Sequence, residues 1–383
     1  MSNPKFAAAL RALWVDPPMK ISNRTGKETF AFAKSDKEFT ALLEHEDPAV
    51  QALVAARLGV KSTIAETRAL RLLNTARRGR GFPVMLNYWG AKTTGRHSGG
   101  NGINPQNIPA RGRGSEIRKA LIAPPGHLVV VGDSANIELR VAMACAGQRD
   151  AVEKLRTGTD LYCDFASAIY QREITKADKP ERFLGKVAML SLQYGAGAAK
   201  FREIVRLMAQ QSITDYEAEN IVSLYRNRHS SVRKLWWHCD NVILTAIANG
   251  EDFKSVDVND WFITVDRGFA HPGLPGVVYN NLRKEGESWV YGDKQYIYGG
   301  KMVENLCQHM ARHVVMWQTA CVNDRYPVAL SVHDEIVCVV PEKEADDCAA
   351  YMEQVLNTAP KWCRDKLPVS SEVHIGRSYG EAK

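Results

Sequence analysis

The sequence predicts an α+β chain, and three observations predict it. Two apolar runs of β-branched type, Leu128–Val131 and Val328–Val340, stand far apart in the chain. Most of the sequence around and between them carries apolar residues at helical spacing, and residues 261–298 break into short apolar runs punctuated by Pro272, Gly276, Gly286 and Gly292. Runs of four to eight β-branched residues read as buried strands, periodic stretches of ten or more as helices, and Gly/Pro-punctuated runs as hairpins.

Residues 1–80 read as helical, with patterns at Lys5–Leu13, Lys37–Leu43 and from Pro48 through Leu58, separated by turn-forming Asp16-Pro17-Pro18 and Arg24-Thr25-Gly26-Lys27. A further helix from Thr63 ends in the basic run Ala76-Arg77-Arg78-Gly79-Arg80-Gly81. Residues 88–114 are rich in Gly and Asn with little to bury, which reads as a long loop of the kind that is functional or disordered. Leu128–Val131 is a strand running into Gly132-Asp133, and Asn136 is placed to cap a helix over 137–146. Helices are then expected over 148–171, 181–192, 200–208, 214–248 and 303–322. A hairpin follows, Val328–Val332 turning at His333-Asp334-Glu335 into Ile336–Val340, then a helix over 343–357 and a strand over 369–375.

With 383 residues and 45% hydrophobic composition, the chain is long enough for two or three subdomains around adequate cores. Its eight cysteines are scattered, without a C-x-x-C pair or a His cluster at metal-ligand spacing, which favours reduced thiols in a cytosolic compartment. No apolar run approaches the roughly 18–20 residues that span a bilayer, and the first residues lack the layout of a signal peptide. A soluble, cytoplasmic protein without a membrane partner is expected. The net charge of +7 favours polyanionic partners, although a solvated basic surface accounts for it equally well.

Three features carry chemistry. Asp133 follows one buried strand and Asp334 sits at the bend of the other, so each carboxylate is held at the rim of a sheet. Two such tips brought together make a pocket for hard divalent cations, which phosphoryl transfer uses to activate a hydroxyl and neutralise developing charge. Taken singly, Asp133 reads as a helix cap and Asp334-Glu335 as a polar turn. The third feature is Arg182, Lys186, Leu190 and Tyr194, spaced by four and therefore lined along one helix face. Such a face offers cations to a triphosphate and apolar and aromatic surface to a sugar and base; alone it also reads as a solvated stripe beside core residues.

Taken together and in order, these residues resemble a known family. Gly132-Asp133-Ser134-Ala135-Asn136-Ile137-Glu138-Leu139-Arg140 is similar to the first catalytic motif of the family A DNA polymerases, Arg182–Gly195 to the second, and Val332-His333-Asp334-Glu335 to the third. Thr94-Gly95-Arg96, Gln106-Asn107-Ile108-Pro109 and Ile117-Arg118-Lys119 resemble the segment ahead of the first motif. Tyr298-Gly299-Gly300-Lys301 with Glu304, Asn305 and Gln308 looks like the bacteriophage-encoded branch. The resemblance is weakest at 210–295.

The resemblance implies an α+β right-hand polymerase fold: a partial helical thumb at 1–82, an antiparallel-sheet palm at 83–148 and 296–383, and helical fingers at 149–295. It implies two Mg²⁺ ions held by Asp133, Asp334 and the backbone carbonyl of Ser134, with Glu335 auxiliary. Arg182 and Lys186 would hold the triphosphate, Lys186 also serving the leaving pyrophosphate, and Tyr162 stands where a triphosphate-contacting His is common. Glu138 would exclude a ribose 2′-hydroxyl, Leu190 would lie against the sugar, and Tyr194 would stack near the templating base. Arg96, Gln106, Asn107 and Gln308 would touch the minor-groove side of the primer end, and His333 the primer terminus. Primer-template DNA and deoxynucleoside triphosphates are the implied partners of a monomer. No segment resembles a proofreading domain, so that activity is expected on another chain or on a domain beyond this sequence.

Ser134, Asn136 and Leu190 depart from the family's usual Tyr, Gln and aromatic residue, and the Leu190 departure puts ordinary sugar discrimination in question. Two other functions compete with this reading. A catalytically silent DNA-binding or processivity subunit is disfavoured by the joint presence of Asp133, Lys186 and Asp334, and a single-subunit RNA polymerase by Glu138 and the spelling of residues 332–335.

Overall fold

A computed structural model describes residues 2–22, 26–33, 36–59, 64–79, 81–100, 104–108, 115–209, 211–251, 263–265, 267–271 and 273–382. Arg24, Thr25, Arg80, Trp261, Pro272 and residues 101–103 and 109–114 of the Gly/Asn-rich loop lie outside the described residues. The chain divides into two compact units, Met1–Arg77 and Arg78–Lys383.

In the first unit the helices Asn3–Ala12, Lys37–Ala41, Pro48–Gly59 and Ile64–Ala76 fall close to the periodic stretches. Phe6, Leu10, Phe32, Phe39, Val50 and Val54 form its core, with Phe6 edge-on to Phe32 and Phe39 at 4.9 and 5.7 Å between ring centroids. A hairpin pairing Met19–Ile21 with Glu28–Phe30 was not expected. Each arm is three residues long, too short for alternation to register.

The second unit is built on a four-stranded antiparallel sheet in the order Val328–Val332, Glu335–Pro341, His127–Ser134, Ser371–Gly376. The central strand, His127–Ser134, is longer than its apolar run: pairing on both sides carries it through Asp133 to Ser134, so Asp133 belongs to the strand, and the N-cap position of the following helix falls to Asn136. Residues in register share a face. Val130, Ile336 and Cys338 point to one side, where the helix Ala345–Leu356 covers them. Gly132 permits that approach, since a Cβ there would lie 2.5 Å from Leu356 Cδ1 and 2.6 Å from Met352 Sδ. Val129, Val131, Leu330 and Val337 face the other side, against Leu121, Ala123, Tyr379 and Ala382.

The expected helix over 148–171 is two helices, Arg149–Arg156 and Leu161–Tyr170, separated at Gly158, whose φ is +80°, and restarted by Asp160, whose side chain accepts from the N–H groups of Tyr162 and Cys163. The expected helix over 214–248 breaks at His229, beyond which Cys239–Ile243 forms a π turn. His229 is buried and stacks on Tyr225 at 4.5 Å. The helix Gly299–Asn323 begins earlier than its apolar pattern: Gly299 N–H donates to Asp240 Oδ1 at 2.9 Å, a cap supplied from a distant helix. Residues 263–297 form two three-stranded antiparallel sheets, matching the expected hairpins.

Candidate active site

The sheet brings Asp133 and Asp334 to one end. Glu335 pairs in register with Asp133, and Ser134 N–H donates to the Asp334 carbonyl at 3.0 Å, so backbone bonds fix the two segments to each other. Asp334 follows His333, which turns the hairpin with φ +54°. Asn136, just past the central strand, also has a positive φ of 55°. A non-glycine residue in the left-handed region on each side of the carboxylates marks a locally costly backbone held by its surroundings. Asn136 makes no side-chain cap of the following helix; its Oδ1 accepts from Tyr162 OH at 3.0 Å instead.

Burial pushes the Asp334 carboxyl up to about 6, reinforced by the negative charges of Glu335 and Glu138. Glu335 is committed elsewhere. Its carboxylate accepts from Arg118 Nη1 at 3.0 and 3.3 Å and from Tyr379 OH, and the Arg118 guanidinium lies 4.5 Å over the Tyr379 ring. All three side chains are buried. Ser134 Oγ donates to Gln318 Oε1 at 3.1 Å, while Gln318 Nε2 donates to the carbonyls of Leu356 and Thr358. Among the described residues no cluster of three or more His, Cys, Asp or Glu forms a metal-holding group.

The helix Lys179–Leu192 carries the second motif. Leu184, Gly185, Val187, Ala188, Met189 and Leu192 are buried, which leaves Arg182, Lys186 and Leu190 half-buried along the opposite stripe, and Tyr194 continues that line past the helix end. Gly185 lets the helix Leu161–Tyr170 cross closely, since a Cβ there would meet Tyr162 O. Arg182 bonds to Asp160 at 2.7–2.8 Å, and both Arg182 and Lys186 lie over the buried Tyr162 ring, at 5.7 and 5.8 Å. Burial works against ionisation of Asp160, but its bonds to Arg182 and to two backbone N–H groups hold its carboxyl below the usual range. Leu190 packs against the core of the helical region.

Glu138 joins the two halves: it accepts from Arg96 Nη2 and, at 3.1 Å, from Tyr194 OH. Gln106 fixes the hairpin turn, accepting from His333 N–H at 3.0 Å and donating to Ser331 O at 3.3 Å, while His333 Nε2 lies 3.0 Å from Gln106 O. Arg96, Gln106, His333 and Asp334 line one narrow crevice with Arg312 and His97. Gln308 is half-buried on the long helix and lies outside that lining; Asn107 ends the short 3₁₀ turn Pro105–Asn107. Sequence reasoning missed Asp160, Gln318 and Tyr379. Asp160 had a signal in the Gly-x-Asp spacing of a helix restart, and Gln318 as a polar residue in an apolar helix face; Tyr379 had none.

The sequence matches the family model for DNA polymerase family A over residues 13–249. The chain belongs to that family. DNA polymerase I of Chloroflexus aurantiacus is 36% identical over 327 residues, covering 84% of this chain and 31% of the relative. The thermostable DNA polymerase I of Thermus filiformis is 27% identical over 303 residues, with 76% and 32% covered. The DNA polymerase of Bacillus phage SP02 is 25% identical over 378 residues, with 85% and 55% covered. The chain thus spans about a third of the length of the two bacterial relatives and about half of the phage one. A solved structure described as the POL domain of Pol1 from M. smegmatis in complex with DNA primer-template and dNTP aligns with a TM-score of 0.63 at 22% identity, covering 98% of this chain and 61% of that one. The likeness shows the α+β right-hand polymerase fold expected from the sequence.

Proposed function

We propose that this chain carries the polymerising centre of a DNA-templated DNA polymerase, extending a primer 3′ end by two-metal phosphoryl transfer. The observation that carries the reading is the strand register that sets Asp133 opposite Glu335 and ties Ser134 to Asp334, joining the first and third motifs at one sheet end. The donor set is oxygen only, and one carboxyl is pushed up to about 6 by burial, with the charges of Glu335 and Glu138 adding to the rise, which suits a hard divalent cation that offsets both. Asp133, Asp334 and the Ser134 carbonyl would hold Mg²⁺, which when bound activates the primer hydroxyl and neutralises charge on the phosphate.

Arg182 and Lys186 bind the incoming triphosphate, exchanging their contacts with Asp160 and Tyr162 for phosphate oxygens, and Lys186 supplies a proton to the departing pyrophosphate. Glu138, pinned by Arg96 and Tyr194, occupies the space of a ribose 2′-hydroxyl. Leu190 lies against the sugar and Tyr194 near the templating base. Gln106 and His333 shape the seat of the primer terminus, with Asn107 and Gln308 along the duplex. Glu335 acts through Arg118 and Tyr379 as a positioning residue beside Asp133. In this reading the sheet and the segments around it are the palm, residues 149–295 the fingers and 1–82 part of a thumb. The protein works as a cytoplasmic monomer, and the likeness to the SP02 polymerase supports a phage-type branch.

Primer extension by the purified chain, first with deoxynucleotides and then with ribonucleotides, tests this. Extension with deoxynucleotides alone is expected. Duplex binding without extension identifies a silent subunit, and preference for ribonucleotides an RNA polymerase.

A further inference from the structure

Arg312 stands apart from the other cations of the crevice. It is 6% exposed, and its Nε and Nη2 have no hydrogen-bond partner among the described residues. Arg96, the other arginine lining the crevice, donates to Glu138. The Arg312 guanidinium lies over the rings of Tyr88, at 5.0 Å, and Trp89, at 4.7 Å. Ring faces offset its charge but accept little along the N–H directions, so a buried guanidinium in this setting retains donors that cost free energy until they are met. Trp89 is backed by His309 and His313, whereas Tyr88 is 69% exposed. Arg312 itself lines the crevice, and the exposed Tyr88 ring, which also rests edge-on against His97 at 5.7 Å, is the contact of the guanidinium that a ligand arriving from solvent displaces.

What could meet them is constrained by the walls. Ala311, Val315 and Met316 are apolar, and Asp334 lies in the same lining, so a second anion is disfavoured there and a neutral acceptor on a flat edge is favoured. The minor-groove edge of a base pair presents such acceptors, N3 of purines and O2 of pyrimidines, in similar places for every correct pair. We propose that Arg312 donates to a minor-groove acceptor at the primer end of the duplex, reading correct pairing independently of sequence. The inference rests on the polymerase reading and adds a specificity-determining residue to it.

The test scans 3-deazadeoxyguanosine, which lacks the N3 acceptor, through the last three primer positions and compares single-nucleotide extension by the parent, Arg312→Met and Arg312→Lys. Circular dichroism confirms the fold of each, and Arg312→Lys carries the comparison if the Met variant does not fold. The parent is expected to slow about tenfold at one position, the scale of a lost hydrogen bond to a charged donor, and that penalty is expected to vanish in Arg312→Met. A parent penalty that persists undiminished in the variant, or no penalty at any position, overturns the assignment. So does loss of the Arg312 effect on replacing the adjacent phosphate by methylphosphonate while 3-deaza substitution is silent, which would make the contact one to the backbone. A parent that extends no primer at all refutes the polymerase reading itself, a separate outcome.

Discussion

The carboxylate end of the sheet and the cationic face of the Lys179–Leu192 helix serve the same proposed reaction but are held in different ways. Asp133 lies within a strand paired on both sides, and Asp334 is tied through its own backbone to Ser134. Arg182 and Lys186 are held at their side-chain ends, by Asp160 and the face of Tyr162. Backbone pairing sets a carboxylate before any ligand arrives, whereas a side-chain ion pair can exchange partners. In the proposed reading, then, a cation pocket would be built in advance, while a triphosphate would have to displace the internal partners that Arg182 and Lys186 already hold.

The strongest way to break this comparison is to neutralise the rigid side. Asp133→Asn or Asp334→Asn is expected to slow primer extension by about a hundredfold or more, while duplex affinity stays within about tenfold because Lys and Arg contacts to phosphate dominate binding. Extension at more than a few per cent of the parent rate in either variant contradicts the pocket assignment. Next in size is the hinge between the two regions. Glu138→Ala removes the group that Arg96 and Tyr194 hold, and ribonucleotide incorporation is expected to rise by about tenfold or more, measured as the ratio of kcat/KM for deoxy and ribo substrates. An unchanged ratio takes Glu138 out of sugar selection.

On the exchangeable side, Asp160→Asn keeps an N-cap acceptor but removes the charge that competes for Arg182. The KM for deoxynucleotides is expected to fall by about two- to fivefold with kcat little changed, since a weakened internal pair costs less to displace. A rise in KM would show instead that Asp160 aligns Arg182 for the phosphate. The smallest effect is on stability. Because the Asp334 carboxyl sits at about 6 in the folded protein, above its ordinary 3.8, its contribution is fully present below about 3.8 and is lost as pH rises through 6. At neutral pH, Asp334→Asn is therefore expected to stabilise the fold by about 1–2 kcal/mol, seen as a higher Tm, with the difference vanishing near pH 4. A lower Tm at pH 7 contradicts the idea that the site stores unfavourable charge.

Much of this was legible in the sequence where chemistry follows local pattern. The apolar runs placed Asp133 and Asp334 at strand ends, and steps of four placed Arg182, Lys186, Leu190 and Tyr194 along one line in which all four are half-buried. What pattern could not reach were partners supplied from far away in the chain. Arg118 and Tyr379 converge on Glu335 from separate segments, Asp240 caps a helix that begins at Gly299, and Gln106 braces the turn at His333. Helix breaks at Gly158 and His229 were missed because apolar periodicity runs through them, and only the left-handed glycine with its following Asp cap, or the burial of an imidazole against Tyr225, decides the matter. Asn136 read as a cap by residue type alone; its left-handed backbone turns the side chain to Tyr162 instead.

The central claim is that Asp133 and Asp334 form a cation pocket built before substrate binds. Calorimetric titration of the DNA-free protein with Mn²⁺ tests it most directly, using the parent, Asp133→Asn and Asp334→Asn at pH 8 and again at pH 5.5. The account predicts binding by the parent at pH 8, weakening at pH 5.5 as a proton competes for Asp334, and loss of at least about tenfold in affinity in each variant. Equal affinity in the parent and both variants at pH 8 would contradict it.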